Sequence, residues 1–191
     1  NNIFKKSNVN FMKSCKELLS IDAHEANYVA NIYNLLRKEG LEACQISLET
    51  YFDFARVNSA MPKRPDITLF DSGFDGLFNL YKDGNKDTPN DIHKIKFLNT
   101  LIEIKGSESL NAKNEKARFD AYSADIDKLK KWQELISQKT KKKIQTCFIA
   151  VDTNDKPLSN GLIEELFSIA DCLVVYITKN DIFIKQSREI E

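Results

Sequence analysis

The sequence predicts an α/β fold in which helices flank a mixed central β-sheet. Amphipathic segments with helical spacing alternate along the chain with short apolar runs that are typical of strands. Of the 191 residues, 42% are hydrophobic and 29% are charged, as in an ordinary globular domain with its own core. These values exclude a disordered chain, a collagen-like fibre and a small disulfide-stapled protein. We therefore expect a single domain over residues 1–191.

The helices are predicted from apolar residues that recur at helical spacing. Four segments show this spacing: residues 10–19, 22–39, 114–137 and 161–170. The first belongs to an expected N-terminal helical extension, residues 1–20. Gly40 suits the position just past the end of the second helix. The third is the longest, and its apolar stripe runs from Tyr122 through Trp132 to Ile136.

The strands are predicted from short apolar or alternating runs. They cover residues 43–54, 67–70, 97–105, 145–151, 172–178 and 182–185. The last two flank Lys179-Asn180-Asp181 and are predicted to form a hairpin. The polar residues 71–96 predict a long loop insertion. The predicted element order is therefore α–β–β–β–α–β–α–β–β.

The charge of the chain is balanced overall but segregated along it. Lys and Arg together number 28, as do Asp and Glu, which excludes a globally basic nucleic-acid binder. Residues 113–143 carry ten basic and five acidic residues, whereas residues 66–91 carry six acids and two lysines. A basic segment of this kind can follow a DNA backbone. The alternative is that residues 139–143 form a solvated turn.

Neither membrane insertion nor disulfide bonding is expected. The longest apolar run, residues 172–177, is far shorter than a membrane span. The four cysteines are far apart and form no Cys-x-x-Cys pair, which favours buried free thiols over disulfides or zinc ligands. We therefore expect a cytoplasmic protein. The chain begins with Asn1, so we also expect that its natural N-terminus is missing.

Two predicted strands carry charged residues in unusual places. Pro65-Asp66 opens the strand at residues 67–70, and Glu103 and Lys105 lie near the end of another strand. Residues two apart on a strand share a face, so Glu103 and Lys105 lie on one side. Charges inside an apolar strand are unfavourable unless they are paired or bound to metal. Alternatively, Glu103 and Lys105 form a surface ion pair, and Asp66 caps a turn.

The sequence Pro65-Asp66, followed by Glu103-Ile104-Lys105, resembles the motif of the PD-(D/E)XK nuclease superfamily. This is the fold of restriction endonucleases and of many repair nucleases. The resemblance covers roughly residues 22–151 and includes the αβββαβ order of the predicted core. It implies a restriction-endonuclease-like three-layer fold.

The resemblance also implies a chemistry. Asp66 and Glu103 would bind Mg²⁺, with Mn²⁺ as a substitute, and Lys105 would orient the attacking water. The implied function is that of a metal-dependent DNA endonuclease of the restriction or defence type. The expected partners are DNA and a second copy of the chain in a homodimer. The alternatives are a repair or recombination nuclease and a noncatalytic domain of this fold that binds nucleic acid or protein.

A third metal-binding acid is expected on the first core helix, as in other members of the superfamily. Glu25 is the candidate because it shares a helical stripe with Val29, Ile32 and Leu36. Alternatively, Asp22-Ala23-His24-Glu25 is a capping box in which Glu25 bonds to the N-cap amide. Glu42 and Glu49 are weaker substitutes for Glu25 as a ligand.

Contacts to nucleic acid are expected at the start of the long helix. Some relatives carry a Gln-x-x-x-Tyr pattern there, whereas this chain has Arg118 and Tyr122 at those two positions. Arg118, Lys116 and Lys113 are the predicted phosphate contacts. For Tyr122 the alternative is packing in the core.

Overall fold

The computed structural model describes residues 14–17, 23–50, 52, 64–76, 90–107 and 114–185. The helices are α1 (Glu25–Lys38), α2 (Asn90–Phe97), α3 (Glu115–Thr140) and α4 (Asn160–Ile169). The strands are β1 (Ile46–Leu48), β2 (Ile67–Phe70), β3 (Leu98–Gly106), β4 (Gln145–Asp152), β5 (Leu173–Thr178) and β6 (Ile182–Lys185). A 3₁₀ helix, Ala43–Gln45, precedes β1.

The strands form one mixed sheet in the order β1-β2-β3-β4-β5-β6. The pairs β1–β2, β2–β3 and β5–β6 are antiparallel, and β3–β4 and β4–β5 are parallel. A parallel pair needs a crossover connection, and α3 and α4 supply the two crossovers. The predicted α/β fold with a mixed sheet between helices is confirmed, including the terminal hairpin.

The two faces of the sheet carry separate apolar cores. Ile102 and Ile104 of β3 pack with the buried face of α1, which includes Tyr28 and Ile32. Leu101 of β3 packs with the buried stripe of α3 on the other face. Because side chains alternate along a strand, Glu103 and Lys105 project towards the α3 face. The prediction that these two charges share a side is confirmed.

The two long helices begin and end near their predicted limits. Gly40, just past α1, has a φ of 93°, a value that glycine adopts without strain. The Asn114 side chain caps the start of α3 by accepting a hydrogen bond from the Lys116 amide at 2.9 Å. Helix α3 ends at Thr140, three residues beyond the predicted end, and Lys141 follows with a φ of 56°.

In the segment predicted as a strand, residues 43–54, the described residues are 43–50 and 52, and only 46–48 of these form a strand. Residues 51, 53 and 54 lie outside the described residues. Residues 43–45 form the 3₁₀ helix, and β1 has three residues. Ile46 is buried, but Leu48 is 45% exposed. The alternation of apolar residues indicated a covered strand, whereas β1 lies at the edge of the sheet, where one neighbour is absent from the described ranges.

The prediction of a loop throughout residues 71–96 is wrong at its end, because α2 occupies Asn90–Phe97. Residues 77–89 lie outside the described residues. In this helix Ile95 is buried, but lysines flank it on both sides. A short helix with such a sequence has too little apolar periodicity to be distinguished from a polar loop.

Much of the predicted N-terminal extension lies outside the described residues. Within it, residues 14–17 are helical and Cys15 is buried. Cys147 and Cys172 are also buried, as predicted, and all four cysteines are free. None of the helices in the described part of the chain has the length and apolar character needed to cross a bilayer.

Candidate functional site

Asp66 and Glu103 face each other across the β2–β3 pair. Ile67 is paired with Ile102 in the antiparallel register, so the next positions, Asp66 and Glu103, are opposite one another. The Asp66 Oδ2 atom accepts a hydrogen bond from the Ile104 amide at 2.7 Å. This bond continues the strand pairing through a side chain and holds the Asp66 carboxylate against β3. The structure therefore brings together the two acids that the sequence singled out.

Glu103 is the more deeply buried of these two acids, with 2% of its surface exposed. Its Oε2 atom accepts a hydrogen bond from Lys128 Nζ of α3 at 2.5 Å. Its Oε1 atom is buried and has no hydrogen-bond partner among the described residues. A buried polar oxygen without a donor is unfavourable by about 1–3 kcal/mol, so this atom calls for a ligand.

Lys105 pairs with Glu25 at the start of α1. Their Nζ and Oε2 atoms are 3.1 Å apart, and both side chains are partly exposed. The Gly106 amide also points to Glu25 Oε2, at 3.5 Å. Glu25 is thus beside the predicted catalytic lysine. As a metal ligand it stays a prediction.

The alternative of a capping box at Glu25 is wrong. The N-cap of α1 is His24, so Glu25 is the first helical residue and not the third. Its carboxylate bonds across to β3 instead. Asp22 lies outside the described residues. Of the weaker substitutes, Glu42 caps the 3₁₀ helix and Glu49 forms an exposed ion pair with Arg64 at 3.7 Å.

Two charged residues of α3 that the sequence analysis did not single out complete the arrangement. Asp125 and Lys128 lie three residues apart, on the flank of the buried stripe, and both are partly buried. Lys128 bonds to Glu103, and Asp125 interacts electrostatically with Glu103 and Lys105. The carboxylate–lysine cluster is defined here as Glu25, Asp66, Glu103, Asp125, Lys105 and Lys128. The only signal in the sequence was a pair of opposite charges beside the apolar stripe.

Three carboxyl groups in the cluster, those of Asp66, Glu103 and Asp125, have a raised pKa and hold their protons more tightly than usual. Burial raises the pKa of Glu103 to about 9, with a further contribution from the charge of Asp66, while Lys128 lowers it. Burial also raises the pKa of Asp66 to about 6, against the opposing effects of the Ile104 amide and Lys128. Each value reflects a carboxylate that lacks water and lies close to other negative charges.

Asp125 and Lys105 are perturbed by the same neighbours. Burial raises the pKa of Asp125, although Lys128 and Lys105 oppose it. Burial lowers the pKa of Lys105, but the attraction of Glu25, Asp125 and Asp66 outweighs burial, and the pKa is raised. Lys105 is therefore a charged ammonium at neutral pH.

The cluster has more acids than bases. Four carboxylates and two ammonium groups give a formal charge of −2 when all six are ionised. Repulsion among the acids contributes to the raised pKa values. One divalent cation would balance this charge.

The Asp66–Glu103 pair supplies carboxylate oxygens, the kind of ligand that a divalent ion such as Mg²⁺ prefers. Within the ranges that the structure describes, no three Asp, Glu, His or Cys side chains gather closely enough to hold a metal by themselves. Mg²⁺ does not need such a cage, because proteins commonly bind it through one or two carboxylates together with water and substrate phosphates. The unpartnered Oε1 atom of Glu103 is an available oxygen ligand of the preferred kind.

The predicted nucleic-acid contacts differ in exposure. Lys113 lies outside the described residues. Lys116 is exposed and pairs with Asp120 at 3.0 Å. It precedes Asp125 by nine residues, or about 14 Å along the helix axis. At this separation Lys116 does not reach a phosphate that the cluster itself holds.

Arg118 is placed inside the protein, where 1% of its surface is exposed. Its Nε atom donates to Asp152 Oδ2 at 3.1 Å, and its NH2 group donates to the Lys156 carbonyl at 2.6 Å. Tyr176 also donates to Asp152, at 2.7 Å. This burial does not favour the predicted phosphate contact. Tyr122 is also fully buried and packs against Phe148, as in the alternative of core packing.

We expect Arg118→Ala to lower the free energy of unfolding by about 3–5 kcal/mol, because it leaves the carboxylate of Asp152 buried without its counter-ion. Lys116→Ala is the matched control, and its exposed contacts predict a loss below about 1 kcal/mol. Urea unfolding of both variants measures the difference. A wild-type stability for Arg118→Ala, with weakened DNA binding, would contradict the structural role.

The basic segment 139–143 consists of the last two residues of α3 and the turn that follows it, and lies at the opposite end of β3 from the cluster. Lys142 bonds to Asp71 at 3.2 Å and to the Lys96 carbonyl at 2.9 Å, next to the start of β3. Lys105 is seven residues further along that strand, or about 23 Å away. The turn therefore cannot contact a phosphate that the cluster holds.

Comparisons with known proteins do not place the chain in a family: no protein-family model, curated protein or solved structure matches it.

Proposed function

We propose that this protein is a Mg²⁺-dependent nuclease that hydrolyses phosphodiester bonds in DNA at the carboxylate–lysine cluster. One observation carries the proposal: Glu103 is 2% exposed, faces Asp66, and keeps one buried oxygen without a partner. A structural ion pair would satisfy both oxygens of a carboxylate so deeply buried. An acid kept in this state is typical of a functional site.

The charge of the cluster favours an anionic substrate that arrives with a cation. Without a cation, the excess of carboxylates over lysines in the cluster repels a phosphodiester. Asp66 and Glu103 would hold a divalent ion, and its chemistry there would be to activate a water and to neutralise charge on the phosphate. Lys105, on the same face of β3 as Glu103, stabilises negative charge that develops on the phosphate oxygens.

Glu25 and the Ile104 amide position these groups. Glu25 pairs with Lys105 at 3.1 Å and restrains its ammonium group near the end of β3. The Ile104 amide holds Asp66 Oδ2 at 2.7 Å, which leaves the other oxygen of that carboxylate for a ligand. Both contacts lower the reorganisation needed for binding.

The order of elements supports a restriction-endonuclease-like fold as part of this proposal. Helix α1, strands β1 to β3, helix α3 and strand β4 follow the αβββαβ order, with the short α2 inserted before β3. Asp66 precedes β2 and Glu103 lies in β3, as the motif of the PD-(D/E)XK superfamily requires. DNA is the substrate that this resemblance implies. Since one chain contributes one such cluster, cutting both strands would use a homodimer.

A noncatalytic domain of the same fold is the second candidate, and one observation favours it. Lys105 and Lys128 already neutralise two of the four carboxylates through contacts of 3.1 and 2.5 Å. A cluster that is held together by its own lysines can serve to stabilise the fold. Such a domain would bind its partner without cleaving it.

Incubation with supercoiled and linear DNA tests the proposal. The purified chain is incubated with Mg²⁺, Mn²⁺, Ca²⁺ or a chelator, beside Asp66→Asn and the control Asp71→Asn. Asp71 is a matched acid at the far end of β2, paired with Lys142. We expect cleavage with Mg²⁺ or Mn²⁺ by the wild type and by Asp71→Asn, and none by Asp66→Asn.

Other results of the cleavage experiment would favour the alternative functions. Cleavage by Asp66→Asn at the wild-type rate would overturn the assignment of the site. DNA binding by a folded wild-type chain, without cleavage in any metal, would favour the noncatalytic domain. Nicked circles as the product, as opposed to linear DNA, would indicate that the chain acts as a monomer.

A further inference from the structure

Lys128 occupies the position in which a cation is needed. Its Nζ atom lies 2.5 Å from Glu103 Oε2, and 20% of its side chain is exposed. The lysine reaches this position from the flank of α3, whereas Lys105 extends from β3 towards Glu25. The two lysines thus have different partners, and Lys128 is the one bound to a proposed metal ligand.

An ammonium group at this distance opposes the binding of a metal ion. Like charges repel strongly where burial lowers the effective dielectric constant. A divalent ion that binds Glu103 must either share the carboxylate with Lys128 or displace it. The long, partly exposed side chain of a lysine can turn away with its charge still in contact with water.

We propose that Lys128 binds Glu103 Oε2 in the metal-free site, acts as a counter-ion once this acid has lost its proton, and competes with the divalent cation for it. This inference rests on the proposed function, since it concerns the same two carboxylates. When the cation binds, Lys128 leaves Glu103. Its ammonium group then lies beside the site, where it can pair with an anionic phosphate group.

The charges alone determine whether removal of Lys128 strengthens or weakens metal binding. Removal of Lys128 raises the affinity of the site both for protons and for metal ions. A divalent ion gains twice the electrostatic energy that a proton gains at the same position. The net result is tighter metal binding, at the expense of a less stable metal-free protein.

Calorimetric titration with Mn²⁺ tests the proposal. The titration compares the wild type, Lys128→Gln, Asp66→Asn and the control Lys130→Gln, all at pH 8.5. Lys130 is an exposed lysine on the same helix. We expect Lys128→Gln to bind Mn²⁺ roughly tenfold more tightly than the wild type, equivalent to about 1.4 kcal/mol. Lys130→Gln should bind like the wild type, and Asp66→Asn should lose the site.

The outcomes separate this inference from the proposed function. Equal or weaker binding by Lys128→Gln, with binding that still depends on Asp66, would overturn the counter-ion role and leave the nuclease proposal standing. Binding by Lys128→Gln alone would support the role in its strongest form. A lack of Asp66-dependent binding in every variant would overturn both.

A measurement on the wild type covers the case in which Lys128→Gln does not fold. The side-chain ammonium resonances of ¹⁵N-lysine-labelled protein are followed as Ca²⁺ is added, with Lys128→Arg used for assignment. We expect the Lys128 signal to change on binding, while that of Lys130 stays constant. An unchanged Lys128 signal at a saturated site would overturn the proposal.

Discussion

Replacing Lys105 by methionine is expected to reduce the rate of DNA cleavage by about 10²- to 10³-fold, the usual effect of removing one group that stabilises the charge of a transition state. Methionine keeps the apolar length of the side chain and removes the ammonium group. Single-turnover cleavage with excess enzyme measures the chemical step without the contribution of product release. Mn²⁺ binding through Asp66 and Glu103 should persist.

The contact between Lys105 and Glu25 makes this prediction specific. Glu25→Gln removes the negative charge 3.1 Å from the ammonium but keeps a hydrogen-bond acceptor. Because that charge raises the pKa of Lys105, the variant should shift the Lys105 titration to lower pH, with a smaller loss of activity. Lys130→Met is the control and should cleave at the wild-type rate. A Lys105→Met rate within threefold of the wild type would contradict the assigned role.

The metal-free protein is expected to lose stability as the pH rises from about 5 to 9, and Glu103→Gln is expected to remove most of this loss. The pKa of Glu103 is about 9 in the folded chain, against an ordinary value of 4.5. Between these two values the folded state holds a proton that the unfolded state has released. The free energy of unfolding then falls with pH, by at most about 1.4 kcal/mol per pH unit for one proton.

Asp66 contributes to the pH dependence of stability over a lower range of pH. Its pKa is about 6 in the folded chain and 3.8 as an ordinary value, so its share of the stability is lost between those values. Asp66→Asn should therefore flatten the profile below pH 6, and Glu103→Gln should flatten it up to pH 9. Removal of Asp66 also lowers the pKa of Glu103, because the charge of Asp66 contributes to raising it.

Urea unfolding in chelator at half-unit steps of pH measures these profiles. Asp71→Asn serves as the control, since Asp71 pairs with Lys142 away from the cluster. A wild-type stability that is constant or rises between pH 6 and 9 would contradict the raised pKa of Glu103 in the folded chain. With excess Mg²⁺, the wild type should gain stability at pH 8 and Asp66→Asn should not.

Patterns of adjacent residues predicted most of the fold. The stripes of α1 and α3 and the apolar runs of β2, β4 and β5 are local features, because each element buries one face or both. The predictions failed where the local pattern of apolar residues did not match the environment that the fold gives them. Within the described residues 43–50 and 52, the predicted strand is limited to β1 at an edge, and α2 formed from a segment with little periodicity.

The motif also limited how the central site could be arranged. Period-two alternation along β3 placed Glu103 and Lys105 on one face, because the pleat of a strand dictates it. The pairing of Asp66 with Glu103 followed once β2 and β3 were antiparallel neighbours. The resemblance to the PD-(D/E)XK motif named Asp66, Glu103 and Lys105 as one group, and the antiparallel pairing of β2 with β3 explains why Asp66 and Glu103 are neighbours.

Tertiary structure decided which charges complete that group. Lys128 and Asp125 stand 25 and 22 residues after Glu103, and their place beside it depends on how α3 lies across the sheet. Arg118 shows the reverse case. It is a basic residue in a basic segment, but it is buried and pairs with Asp152, which follows it by 34 positions. Local sequence determines which faces are apolar, because burial of those faces drives folding. Electrostatic partners are set by distance in space, and only the packed fold determines that distance.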